Sequence, residues 1–136
     1  MAQQTTRATL AWRAGMEFEG GVPGGPTSIV DGNGKAGPSP VVTLLLAAAG
    51  CTGSDVVSIL ETMRMRIATF RIEISGVRRE QEPRRYLSLH LVYHLTGEGL
   101  EEAKVRRAID LSLEKYCSVT HSLAPDIAIT YDVALG

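Results

Sequence analysis

The stretch from Pro38 to Met65, PSPVVTLLLAAAGCTGSDVVSILETMRM, constrains this chain more than any other. It opens on Pro-Ser-Pro, which reads as a helix start with Ser39 as N-cap and Pro40 at the first helical position. No charged side chain occurs from Val41 to Ser54. Val41, Val42, Leu44, Leu45, Leu46 and Ala47 to Ala49 surround the axis instead of keeping to one stripe. A helix that is apolar all round is a buried helix. Its glycines and the early return of charge at Asp55, Glu61 and Arg64 set it apart from a bilayer span. Gly50 and Gly53 flank Cys51 and Thr52. Two glycines cost a helix on the order of 2 kcal/mol relative to alanine. Something other than helix stability therefore favours them, such as close packing or room for a small molecule beside the sulfur.

The length of this helix bears on assembly. As one piece, Val41 to Met65 is roughly 37 Å long, whereas a compact domain of this size is about 36 Å across. One copy can hardly cover a helix of that length that is apolar on all sides for its first three turns. A homodimer burying part of it is expected, unless the helix breaks at Gly50 or Gly53.

The flanking sequence alternates between strand and helix patterns. Thr5 to Trp12 has period two, with Thr6, Ala8, Leu10 and Trp12 on one face, which predicts a half-buried strand. Ala14-Gly15 turns into a short return strand over Met16 to Glu19. After the loop Gly20 to Pro26, Thr27 to Val30 is a third short strand, ended by the turn residues Asp31 to Gly34. Beyond the long helix, Phe70, Ile72 and Ile74 alternate with Arg71, Glu73 and Ser75. Val77 to Arg85 is a solvated connector. Leu87, Leu89, Leu91, Tyr93 and Leu95 then form the cleanest strand, antiparallel to the one before. Gly97 to Gly99 turns, Leu100 to Tyr116 is an amphipathic helix, and Asp126 to Val133 is a last strand with Ile127, Ile129, Tyr131 and Val133 inward. The whole reads as one α+β domain, residues 1–136, with antiparallel sheet and two long helices.

Composition narrows the function classes. Fourteen basic and fifteen acidic residues leave a net charge of -1, so neither a nucleic acid nor a polybasic membrane contact is expected. The segment MAQQTTRATLAW lacks a charged-then-apolar layout, and a cytoplasmic location is expected. The two cysteines are then expected as free thiols.

Those cysteines are the best chemical candidates. Taken alone, each is a small buried hydrophobe. Taken together, they sit on the only two predicted helices, and packing of those helices would bring the sulfurs toward disulfide distance. An attacking and a resolving cysteine suffice for reversible thiol redox chemistry. Cys51 lies mid-helix, beyond reach of the end turns where the helix dipole acts. To react as a thiolate it needs a cation or strong donors from elsewhere. His90 and His94 are about 13 Å apart along one strand face, too far to share a metal. His121 is a loop residue near Cys117. There is no CxxC, HExxH, P-loop or GxSxG, and neither a metal nor a cofactor is expected.

The segments PSPVVTLLLAAAGCTGSDVVSIL, RREQEPRRYLSLHLVYHLTGEGL and EKYCSVTHSLAPDIAITY together resemble the OsmC/Ohr family of hydroperoxide-reducing proteins, in particular its OsmC-like branch. The resemblance runs from Trp12 onward. It implies an intertwined homodimer in which two long helices per subunit lie against curved antiparallel sheets, with the active site at the subunit interface. It further implies that Cys51 is the peroxidatic thiol and Cys117 the resolving one. Organic hydroperoxides would be the substrates, and a dithiol such as a lipoylated protein the reductant.

The chain departs from the family pattern in one respect. The family's peroxidases carry a glutamate near the start of the long helix that helps hold an arginine over the thiolate. Here that part reads Pro40-Val41-Val42-Thr43, and no arginine occurs from Ala14 to Met63. Arg13 is the nearest candidate for the cation, with Arg7 and the Arg78 to Arg85 group as others. Two functions follow. In the first, the protein is a thiol-dependent hydroperoxide reductase using Cys51, Cys117 and Arg13. In the second, it is an OsmC-like protein without peroxidase activity that binds a small apolar ligand at the dimer interface.

Overall fold

The computed structural model describes residues 3–136. The chain divides into two compact units, one ending at Leu44 and the other beginning at Leu45.

The first unit holds a three-stranded antiparallel sheet of β1 (Thr9–Ala14), β2 (Glu17–Gly21) and β3 (Ser28–Asp31), in that order. The β1–β2 turn is closed by the Trp12 indole, whose Nε1 donates to the Gly15 carbonyl at 2.8 Å, and Gly15 takes φ +54°. Such a left-handed position favours glycine because it has no Cβ to clash. The expected half-buried face of the first strand is not found: β1 is exposed along its whole length, with Leu10 and Trp12 both on the surface. The turn after β3 is organised by Asp31. Its carboxylate accepts the backbone N–H groups of Asn33 (2.8 Å), Lys35 (3.3 Å) and Ala36 (3.0 Å). Those bonds, Ala36 first, hold its carboxyl below the usual range.

Helix α1 (Pro40–Thr62) begins where the sequence places it. The Val42 N–H reaches the Ser39 hydroxyl at 3.4 Å, and the Thr43 N–H donates to the Ser39 carbonyl at 2.8 Å. It runs unbroken through Gly50 and Gly53. By length and mean hydropathy, 1.6 over its most apolar window, it could cross a membrane. Here its residues at spacing four, Ala48, Thr52, Val56 and Leu60, are fully buried in the protein. The opposite face is not covered: Leu46 is 52% exposed, with Val42 and Val57 also on the surface.

The second unit contains β4 (Thr69–Arg78), β5 (Tyr86–Thr96) and β6 (Ala128–Leu135) in the order β4-β5-β6. Strands β4 and β5 form the expected antiparallel hairpin, with Ile72 opposite Tyr93 and Ile74 opposite Leu91. The register shifts at Val77/Arg78, where Arg78 pairs with Tyr86 and leaves Leu87 as an extra residue. Leu87 is therefore turned out, and Tyr86 is buried in its place against Gly76, where a Cβ would lie 2.5 Å from the Tyr86 ring. Strand β6 runs parallel to β5, from Ser88 opposite Ala128 to Leu95 opposite Leu135. Joining two parallel neighbours requires a crossover, and here it is supplied by α2 (Glu102–Leu111), the turn Ser112–Tyr116 and the short α3 (Ser118–His121). The core is built from Val56 and Leu60 of α1, Leu91, Tyr93 and Leu95 of β5, and Val105, Ala108 and Ile109 of α2. The molecule is thus the expected α+β fold, with β6 the one parallel partner.

Candidate active site

Both cysteines belong to the second unit. Cys51 sits midway along α1 and is half-buried, while Cys117 is fully buried; both are free thiols. Cys117 is delivered by an irregularity in the second helix. After α2 the chain widens into a π-helical turn over Ser112–Tyr116, so that the Cys117 N–H donates to the Ser112 carbonyl, five residues back, at 2.7 Å. A regular helix would have given that N–H to Leu113. The Leu113 carbonyl is instead taken by the His121 ring, whose Nε2 lies 2.9 Å away. His121 is thereby engaged with backbone. Cys117 itself is extended (φ −72°, ψ 99°) and ends the turn.

This path brings the two thiols near each other, close enough for Cys51 to act on the ionisation of Cys117. Burial pushes the Cys117 thiol up from its ordinary value. Hydrogen bonds from the Thr120 hydroxyl and backbone N–H pull it down, and the adjoining Cys51 thiol pushes it up again; the sum is upward. Cys117 is therefore held as the neutral thiol.

Beside the thiols runs a chain of buried polar groups that the sequence did not single out. Tyr93 Oη lies 2.9 Å from Thr52 Oγ1, and Ser112 Oγ lies 2.8 Å from Thr52 Oγ1 and 2.8 Å from Asp55 Oδ2. Thr52, Tyr93 and Ser112 are fully buried. Each breaks an apolar pattern: Thr52 in the uncharged run of α1, Tyr93 among the leucines of β5, and Ser112 between Leu111 and Leu113. A polar residue at a core position needs a partner, and that was the available signal. Burial drives the Tyr93 phenol up to about 12 against a partial offset from its Thr52 bond. An unfolded tyrosine ionises near 10. The folded chain therefore keeps a proton that the unfolded chain gives up, so stability is intact below pH 10 and falls as pH rises through about 12. Urea unfolding across this window should show a loss of roughly 2–3 kcal/mol, and Tyr93→Phe should flatten most of that slope.

On the face of α1 that carries Gly50 and Gly53, the helix and β4 line an open groove of about 610 Å³ with Leu46, Ala49, Val57, Phe70 and Ile72, among others. The two glycines play different parts. At Gly53 a Cβ would lie 3.2 Å from Ile72 Cδ1, so the helix packs closely there. At Gly50 nothing lies within 4 Å, and that position is open.

Arg13 lies in the first unit, on β1. Its Nη1 meets Glu19 Oε1 at 2.6 Å and its Nε meets Glu17 Oε2 at 3.1 Å. Glu19 also accepts the Thr27 hydroxyl at 2.6 Å, and that bond, followed by the one from Arg13, holds its carboxyl low. Two glutamates on β2 thus hold the Arg13 guanidinium against the first unit's own sheet. Among the other arginine candidates, Arg78 Nε donates to the Arg84 carbonyl at 2.7 Å and Arg85 pairs with Asp126 at 2.7 Å. His90 is hydrogen-bonded to Thr130 at 2.7 Å, and His94 faces Glu73 at 3.5 Å. Among the described residues no group of three or more His, Cys, Asp or Glu could hold a metal ion.

Comparison with known proteins bears on this arrangement. The family described as "OsmC-like protein" matches residues 32–132. Protein YhfA of Escherichia coli K12 is 40% identical over 126 residues, 92% of this chain and 94% of that protein. A hypothetical protein from Aquifex aeolicus superposes with a TM-score of 0.84 at 27% identity, over 98% of this chain and 99% of that one. The organic hydroperoxide resistance protein OhrB of Bacillus subtilis superposes with a TM-score of 0.62 at 14% identity, over 97% of this chain and 99% of that one, a likeness of fold. With both cysteine segments inside the matched region and a relative of this identity along nearly its full length, the chain belongs to the OsmC-like protein family.

Proposed function

We propose that this protein is a thiol-dependent reductase of organic hydroperoxides, working in the cytoplasm as a homodimer. The observation that carries the reading is the closeness of a half-buried thiol, Cys51, to a fully buried one, Cys117, delivered by a separate element. The Cys51 thiolate attacks the hydroperoxide oxygen, breaks the O–O bond and releases an alcohol, leaving a sulfenic acid. Cys117 then attacks that sulfur, expels water and closes the disulfide. A dithiol, such as the lipoyl group of a carrier protein, returns two electrons and two protons. A resolving cysteine should stay protonated until its partner is oxidised, and the upward push on Cys117 supports that role.

Arg13 is the assigned cation for the Cys51 thiolate. Without one, only a few per cent of a thiol is ionised at pH 7. Its grip by Glu17 and Glu19 supports an ordered guanidinium. The exposed apolar side of α1 around Leu46 and Val57, together with the open groove at Gly50, supports burial against a second copy. That same groove also favours the second reading, a binding protein for a small apolar molecule.

One assay separates the two. Purified protein supplied with dihydrolipoamide should consume cumene hydroperoxide catalytically, and prior alkylation of its thiols should stop it. Failure to turn over, with an apolar ligand seen bound in native mass spectrometry, would instead establish the binding protein.

A further inference from the structure

Ser112 joins the two cysteine segments through two different atoms. Its carbonyl accepts the Cys117 N–H at 2.7 Å, and its hydroxyl lies 2.8 Å from Thr52, the residue that follows Cys51. It is also the first residue of the π-helical turn. Such turns are rare and are found mostly as single turns, often at functional sites. This one leaves a spare carbonyl on Leu113, which His121 caps at 2.9 Å.

The hydroxyl chain has a direction. Ser112 carries one hydrogen, and a carboxylate such as Asp55 can only accept. With that hydrogen given to Asp55 at 2.8 Å, Ser112 Oγ is left to accept from Thr52, and Thr52 to accept from Tyr93 at 2.9 Å. Every hydroxyl then donates once, and the run ends on the half-buried Asp55. Buried polar groups that are fully partnered hold one arrangement firmly, because breaking any bond strands a neighbour without water.

We infer that Ser112 is a positioning residue for the thiol pair: anchored by Asp55 and Thr52, it holds the π turn in the form that keeps Cys117 near Cys51. This rests on the proposed reading of the two cysteines as a redox pair, but its test needs no peroxide. In glutathione buffer, Cys51–SH and Cys117–SH react with glutathione disulfide to give the protein disulfide and two molecules of glutathione. The position of that equilibrium measures how well the thiols are held together.

The equilibrium is read by alkylation and mass spectrometry on full-length protein. In Ser112→Ala and in Asp55→Ala the constant for forming the disulfide should fall about fivefold or more, the scale of an ordinary net hydrogen bond. Asp55→Asn should restore it to within about twofold, because the amide oxygen accepts the same bond. A loss of packing alone would not be rescued in this way. If Ser112→Ala does not fold, the Asp55 pair, at the outer end of the chain, decides the matter. The inference is overturned by wild-type constants in the folded alanine variants, by Asp55→Asn falling as far as Asp55→Ala, or by wild-type protein forming no disulfide in the buffer. Protein that behaves as expected here yet leaves hydroperoxides untouched would sink the reductase reading and leave the positioning role standing.

Discussion

Cys51→Ser should abolish catalytic consumption of cumene or fatty-acid hydroperoxide, a fall of about three orders of magnitude or more to the background rate, as for removal of any sole nucleophile. A hydroxyl is far less ionised than a thiol at neutral pH and forms no sulfenic acid. Stability should change little, because the replacement is nearly isosteric and the site is half-buried. The measurement is peroxide loss with dihydrolipoamide in excess, checked against a urea unfolding curve. Equal turnover by wild type and variant would mean that another group does the chemistry.

Cys117→Ser separates the first step from the second. The variant should still reduce about one equivalent of hydroperoxide per chain in a rapid first turnover, since Cys51 is untouched. It should then stall with Cys51 as the sulfenic acid, which a dimedone adduct found by peptide mapping at Cys51 would record. Steady turnover with the dithiol should fall by about tenfold or more, because a slow external thiol must replace a neighbour already close by. Undiminished turnover, with no sulfenic adduct, would remove Cys117 from the mechanism. The upward push on its thiol from burial and from Cys51 gives the direction of a further effect: resolution should speed up as pH rises.

Much of this architecture was legible in the residues, for reasons that differ by element. The start of α1 is written in Ser39 and Pro40, and the β4–β5 hairpin in the alternation of Ile72 and Ile74 with charged residues. Periodicity reports which residues share a face, and it is silent on strand direction. The inward set Ile129, Tyr131 and Val133 was therefore legible, whereas the parallel pairing of β6 with β5 was not. The burial of β1 was misread because alternation marks a face that can be covered, and in this chain Leu10 and Trp12 remain exposed. At the site, the cysteines announced themselves by their rarity and their helices. The Thr52–Ser112–Asp55 chain did not, because Ser112 lies 60 and 57 residues from Thr52 and Asp55 in sequence and meets them only once the helices are packed. The two glutamates on Arg13 were hidden in a hairpin whose register, Ala14 opposite Glu17 and Ala11 opposite Glu19, is set by a bulge near Ala14.

The wide turn at Ser112–Tyr116 carries a consequence for sequence change. Were the backbone to relax into ordinary α-helical spacing at unchanged length, the Cys117 N–H would pass from Ser112 to Leu113 and everything downstream would swing by about 100° around the axis. Cys117 would then keep its flanking letters yet point elsewhere, its sulfur turned from its partner. The turn holds one residue more than regular helical spacing needs, so a single-codon deletion within it, which leaves the Cys117 N–H on the Ser112 carbonyl, should displace that thiol far less than a deletion elsewhere in α2.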